Sequence, residues 1–244
     1  MKKALTVTLI IALVIGTTQV IGSTALARRK TRNPRSIKTY PAPEPAPAPA
    51  PVPEPAPALE NNILFSDNFD RADQIIDDAG NRVDPLGKWS VTAGVFSVKS
   101  MHGYTNNSVF RVVTERSDFS NLTFKADLMK KDLGVEAFDG LQLFFRYKDP
   151  DNLYVAGLRN DNQIQLKKKV NGIYTTLGQA SIESNKLGYW YHMIIVVNGN
   201  HLEVYVDGKK YIDKYDSSLT SGKVGIRTDN IEAYFDNVEV LTNN

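Results

Sequence analysis

The strongest constraint on this chain is a series of short alternating segments broken by turn residues, densest between Asp139 and Leu177. There the runs LQLFFRY, NLYVAGLR and QIQLKKKV are separated by Asp-Pro-Asp-Asn and Asn-Asp-Asn, and Asn171-Gly172 follows the third. Strand side chains alternate between faces, and interruptions of this length and composition are what hairpins need, so the stretch reads as a β-meander. In the first run Leu141, Leu143 and Phe145 are expected to enter a core, which leaves Gln142, Phe144 and Arg146 together on the opposite face. In the third, Ile164, Leu166 and Val170 alternate with Gln163, Gln165, Lys167 and Lys169. One sheet face is therefore rich in hydrogen-bonding groups.

The same pattern recurs at TFKADLM (123–129), HMIIVVN (192–198), HLEVYVD (201–207), KVGIRT (223–228) and AYFDNVEVL (233–241). Asn198-Gly199, Asp207-Gly208 and Ser221-Gly222 are expected to make hairpin connections. No segment sustains a capped helical pattern for three turns, although RADQIIDDAG (71–80) predicts one short helical turn. Regularly spaced strands without crossover helices predict an all-β antiparallel sandwich. The stretch from Asn61 to Asn244 is long enough for one such domain, burying roughly 70% of its unfolded surface.

What precedes it is of another kind. Lys2 and Lys3, an apolar run from Ala4 to about Gly16 and the small-residue site Ala25-Leu26-Ala27 read as a secretory signal peptide over residues 1–27, or as an uncleaved anchor that would be the only contact with a membrane. Export to the cell envelope or beyond follows from either reading, although Arg28, Arg29, Lys30, Arg32, Arg35 and Lys38 place more positive charge after the segment than before it. Residues 28–60 are expected to form a disordered linker, with proline at every second position from Pro41 to Ala58. Proline fixes φ, so this is a stiff extended spacer of roughly 55 Å.

The chain has no cysteine, which excludes disulfides and thiolate metal or redox sites. Its net charge of +2, with the basic cluster outside the folded region, gives no reason to expect nucleic acid as a partner.

LFSDNF, GKWSVTAGVFSV, FFRYKDPDNLYVAGL, KKVNGIYTTL, GYWYHMIIVVNGNHLEVYVDGK, SGKVGIRT and YFDNVEV follow one another over Phe65 to Leu241, and in that order they resemble the concanavalin A-like lectin/glucanase superfamily. The resemblance is nearest to laminin G-like jelly-roll modules of the kind found in 3-keto-disaccharide hydrolase-type domains and in levan-binding carbohydrate-binding modules. It implies a jelly roll of two curved sheets with a sugar site on the concave one. Planar guanidinium and amide groups suit vicinal hydroxyls, and aromatic rings suit the apolar faces of sugars. On that basis Arg146 is the leading contact, with Gln142 and Phe144 beside it. Arg159, Gln165 and Lys167 would complete the groove, Tyr154 or Tyr147 would stack, and Tyr104 would reach in from the loop MHGYTNN. If Lys167 and the two arginines share the groove, an acidic or fructan-type polysaccharide suits it better than a neutral glucan. Trp89 and Trp190 stand where the resemblance places core or edge aromatics.

The resemblance also implies a structural calcium ion between the first and last strands, held by Asp67 and Asp236, with Asp70 or Asn237 as substitutes. Catalysis is argued against by the missing E-x-D-x-E strand of laminarinase-type relatives. Glu136 and Asp139 have the wrong spacing for that role, His102, His192 and His201 are isolated, and Asp127 is the residual acidic candidate for a hydrolase or lyase. The expectation is an exported, monomeric, non-catalytic polysaccharide-binding module. A laminin G-like adhesion module is the principal rival.

Overall fold

The computed structural model describes residues 62–77, 83–183 and 185–243. The signal or anchor segment, the basic cluster and the Pro-Ala spacer lie outside these residues. The described residues form β1 (Ile63–Asp67), β2 (Gln74–Asp77), β3 (Trp89–Ala93), β4 (Val95–Lys99), β5 (His102–Thr114), β6 (Leu122–Lys130) and β7 (Gly140–Asp149), then β8 (Asn152–Arg159), β9 (Gln163–Val170), β10 (Ile173–Ser181), β11 (Trp190–Asn198), β12 (His201–Val206), β13 (Lys209–Tyr215) and β14 (Lys223–Thr242). None of them is helical.

All strand pairs are antiparallel, along the path β10-β9-β8-β7-β14-β6-β11-β12-β13, and β14 carries the fold from one layer to the other. The two segments expected at KVGIRT and AYFDNVEVL are halves of this single 20-residue strand. Its first half pairs with β7 from Lys223↔Tyr147 to Asp229↔Gly140, and its second with β6 from Ala233↔Lys130 to Thr242↔Leu122. Along its other edge run β5 and β1. The change of layer falls at Asn230, where φ is 49° and the register against β5 shifts. The outer strands β10 and β13 close on each other, so that a Cβ added at Gly178 would lie 2.7 Å from Ile212 Cγ2. Between the layers Phe69, Trp89, Phe96, Phe124, Leu143, Phe145, Ile195 and Phe235 belong to one continuous core. This is the antiparallel jelly-roll sandwich of the concanavalin A-like class that the sequence predicts.

Turn chemistry follows the sequence at Asn171-Gly172, Asp207-Gly208 and Asn198-Gly199, where Asn198 pairs with His201 across the β11–β12 hairpin, and departs from it at Ser221-Gly222. Asn171-Gly172 and Asp207-Gly208 have φ of 50° and 81°, and 51° and 77°, as the mirror-image hairpin turn requires at both central residues. Ser221-Gly222 is not a hairpin, because β13 pairs with β12 while β14 pairs with β7 and β5. The helical turn expected over 71–80 is also overturned in its described part, residues 71–77, the rest lying outside the described residues. Gln74–Asp77 is strand β2, paired with β4, with Ile76 buried and Ile75 exposed. A weak local preference yields there to cross-strand packing.

The largest departure is Arg146. Simple alternation puts it outward with Gln142 and Phe144, but φ is 48° at this residue and the register slips beside it against both β8 and β14. A bulge of this kind re-aims a side chain. Arg146 is 2% exposed. Its guanidinium donates to the carbonyls of Ser120 (3.2 Å), Gly199 (2.7 Å) and Leu219 (2.8 Å), which belong to three separate connections. Burial lowers its pKa. The buried cation is thus answered by carbonyl dipoles rather than by a carboxylate. Arg146→Met would leave those carbonyls without their donor, and we expect a loss of about 3 kcal/mol. Thermal unfolding should show this as a Tm lowered by roughly 6–12 °C, whereas an unchanged Tm would remove the structural role.

Candidate functional site

A cleft of about 270 Å³ opens on the face of β7–β10 that is turned away from the core, continuing onto the first half of β14. Alternation places its lining. Gln142 comes from β7, Val155, Gly157 and Arg159 from β8, Gln165 and Lys167 from β9, Tyr174 from β10, and Arg227 and Asp229 from β14, with Phe138 and Asn230 at one end. Gly157 keeps the floor low, since a Cβ there would meet Gln142 Cγ at 3.1 Å. Tyr174 and Phe138 are 47% and 51% exposed, so each offers exposed ring surface, and the Lys169 ammonium lies over the Tyr174 ring, 5.2 Å from its centroid.

The polar groups are held in fixed pairs. Arg159 donates to both Asp161 oxygens (3.1 and 2.7 Å) and to Gln165 Oε1 (3.0 Å), while Gln165 Nε2 donates to Gln179. Arg227 Nε and Gln142 Nε2 each donate to Asp229 at 2.5 Å, and Arg227 Nη1 reaches the Tyr174 hydroxyl at 3.4 Å. The hydrogen bonds from Arg159 hold the Asp161 carboxyl below its ordinary range. Lys167 is half-buried, and burial followed by the nearby Arg159 charge lowers its pKa. The loop carrying Phe138 is braced by fully buried Asp139, which accepts from the amides of Val135 and Glu136 and from Asn230 Nδ2.

Of the residues expected from sequence, Gln142, Arg159, Gln165 and Lys167 are brought together here. Arg146 is not, for the reason given above. Tyr154 is a core residue, stacked on Phe145 at 5.1 Å with its hydroxyl donated to Asp216 at 2.5 Å. Phe144 is buried in a small cluster with Val113, Tyr147, Leu153 and Val155, beneath the Arg111 guanidinium. Tyr104 lies on β5 beside β14, where it donates to Glu232; burial and that carboxylate raise its pKa to about 12. Trp89 is buried, and Trp190 packs on His102. Phe138, Tyr174, Arg227, Asp229 and Asn230 were not singled out from the sequence. For Arg227 and Asp229 the alternation of KVGIRTD carried the signal, once that strand was placed beside β7.

The acidic residues are likewise committed. Asp139 is structural, and Asp127 lies on β6 in the other layer, 2.6 Å from His192 Nδ1 and accepting from Asn237. Asp67 does not fit a calcium site. It accepts from Arg71 (2.6 Å), Trp89 Nε1 (2.6 Å) and the Phe69 amide, and Lys88 stands 3.9 Å away, so cations of the protein already surround it. Asp236 is bonded to the Asn237 amide and lies 3.0 Å from His102 Nδ1. Among the described residues one group, His201, Glu203 and Asp213, has metal-capable atoms within reach of one another, and the Lys210 ammonium stands between its two carboxylates at 2.8 and 2.6 Å.

Beneath the turn that carries Asp161 lies Lys130, fully buried, whose ammonium donates to Asn160 Oδ1 at 2.9 Å. Burial lowers its pKa from 10.5 to about 7, against a smaller opposing pull from Asp161. Between those values the unfolded chain holds a proton that the folded one has released, so stability rises with pH across pH 7–10, by at most about 1.4 kcal/mol per unit. Urea unfolding across that range should show the rise in the native protein and a flatter profile in Lys130→Met.

The family model of the 3-keto-alpha-glucoside-1,2-lyase-like domain matches residues 77–241. A levanase of Bacillus subtilis (strain 168) is 24% identical over 155 residues, 62% of this chain and 22% of the levanase, so the chain spans about a fifth of that protein. The carbohydrate-binding module CBM66 from Bacillus subtilis has a TM-score of 0.57 at 22% identity, over 64% of this chain and 96% of the module. The GH43 BlXynB protein from Bacillus licheniformis has a TM-score of 0.51 at 16% identity, over 76% of this chain and 40% of that one. These structural likenesses describe a shared fold.

Proposed function

Because the chain belongs to the family of 3-keto-alpha-glucoside-1,2-lyase-like domains, we propose that it is a carbohydrate-binding module whose cleft on the outer face of β7–β10 holds a saccharide without cleaving it. The observation that carries this reading is the make-up of the cleft: two aromatic rings with exposed surface, Tyr174 and Phe138, flank a bank of amide and guanidinium donors on a rigid sheet. Rings cover the apolar face of a sugar, and planar donors in fixed positions suit adjacent hydroxyls. The likenesses to a levanase and to a carbohydrate-binding module support it.

Lyase or hydrolase chemistry needs a carboxylate, or another base, free to move a proton. Asp229 accepts from Arg227 and Gln142, and Asp161 is clasped by Arg159, which favours its ionised form. Both therefore serve better to fix the arginines than to exchange protons. The same reading places the module outside the cytoplasm, on the strength of the apolar N-terminal segment and the Pro-Ala spacer that follows it.

Affinity electrophoresis of the full chain in gels containing a panel of polysaccharides tests the proposal. Retardation by at least one of them is expected, weakened roughly tenfold by Tyr174→Ala, with thermal stability retained. If nothing in the panel retards the protein, or if the variant is retarded equally, the cleft is not a glycan site.

A further inference from the structure

The charges of the cleft do not cancel. Arg159 is matched by Asp161 and Arg227 by Asp229. On the outward face of β9 Lys169 is also matched, by Asp151 at 2.8 Å and the Pro150 carbonyl at 3.0 Å. The ammonium of Lys167, two residues before it and inside the cleft, makes no ion pair or hydrogen bond among the described residues, although its backbone is laddered to β8 and β10. Its surroundings are two further cations, Arg159 and Arg227, and carboxylates whose oxygens are already engaged.

A ligand that covers this ammonium strips its remaining water. A neutral sugar would return hydroxyl acceptors only, whereas an anion would return a charge-assisted hydrogen bond and bring the cleft to neutrality. Resting on the glycan-binding reading, we infer that the cleft selects an acidic saccharide, with the carboxylate of a uronic acid unit meeting Lys167. The neutral groups around it, Gln142, Gln165 and Asn230, are left to address hydroxyls, and Tyr174 covers the ring. A single ammonium offers a point charge rather than a fork, which suits one carboxylate oxygen and leaves the sugar free to turn so that its ring lies on the tyrosine.

The test compares polygalacturonate and alginate with methyl-esterified pectin and levan, by affinity electrophoresis of the full chain at low salt. Lys167→Met and Lys167→Arg are run beside the native protein. The expected result is retention by an acidic polymer at least about tenfold stronger than by the neutral ones, weakening with added salt, largely lost in Lys167→Met and kept in Lys167→Arg. Equal retention by acidic and neutral polymers, retention by neutral polymers alone, or a preference that survives in Lys167→Met would overturn the acidic-sugar inference and leave glycan binding standing. No retention by any of the four, extended to the wider panel, would overturn glycan binding itself and this inference with it.

Discussion

One strand belongs to both layers of this domain, and most of the architecture follows from that. Because β14 runs for twenty residues and changes partners at Asn230, neither layer has a hydrogen-bond ladder of its own that ends before the other begins. β7 and β6 lie along one edge of it, β5 and β1 along the other. The first half contributes Val224 and Ile226 to the core, and the second contributes Ala233, Phe235, Val238 and Val240. The same first half sends Arg227 and Asp229 outward into the cleft. The core and the site are thus registered to each other by a single backbone.

How far this was legible from the residues depends on how local each determinant is. Strands set by alternation and turns set by Asn-Gly or Asp-Gly are written in neighbouring positions, and these were read correctly. Gln142, Arg159, Gln165 and Lys167, which lie on uninterrupted stretches of alternation, fall on the cleft face where alternation puts them. Asp229-Asn230 looks like a break between strands, and only pairing with β7, β6 and β5 shows that the chain continues through it. Arg146 is the clearest case of a non-local cause. The bulge that turns it inward depends on carbonyls at Ser120, Gly199 and Leu219, contributed from far along the chain in both directions. Nothing near FFRY announces them. Tyr154 was misplaced because it sits on the core face of β8, where its hydroxyl finds Asp216 in a distant connection.

The cleft and the ground beneath it show two ways of handling buried charge. In the cleft, arginines are fixed by carboxylates, so that donors face the solvent already oriented and little side-chain freedom remains to be lost on binding. Under the adjoining turn, Lys130 has an amide oxygen as its partner instead of a carboxylate, and its proton is correspondingly loosely held. The loop bearing Phe138 leans on both regions, through Asp139 to Asn230 on one side and through the Asn160 amide, which donates to the Asp139 carbonyl, on the other.

The pairing of β1 with the end of β14 bears on how the domain can be mounted. Ile63 lies opposite Leu241, and the Thr242 amide donates to the Asn62 carbonyl at 3.0 Å. The chain therefore enters and leaves at one spot, on the layer that does not carry the cleft. A tether on either side would leave the cleft unobstructed, and the domain could be spliced into a loop of another protein with its open face outward. Tension between the two ends would meet hydrogen bonds that open one after another from Asn62 inward. Under load, such a mounting would give way at its own seam before strain reached the strands that shape the cleft.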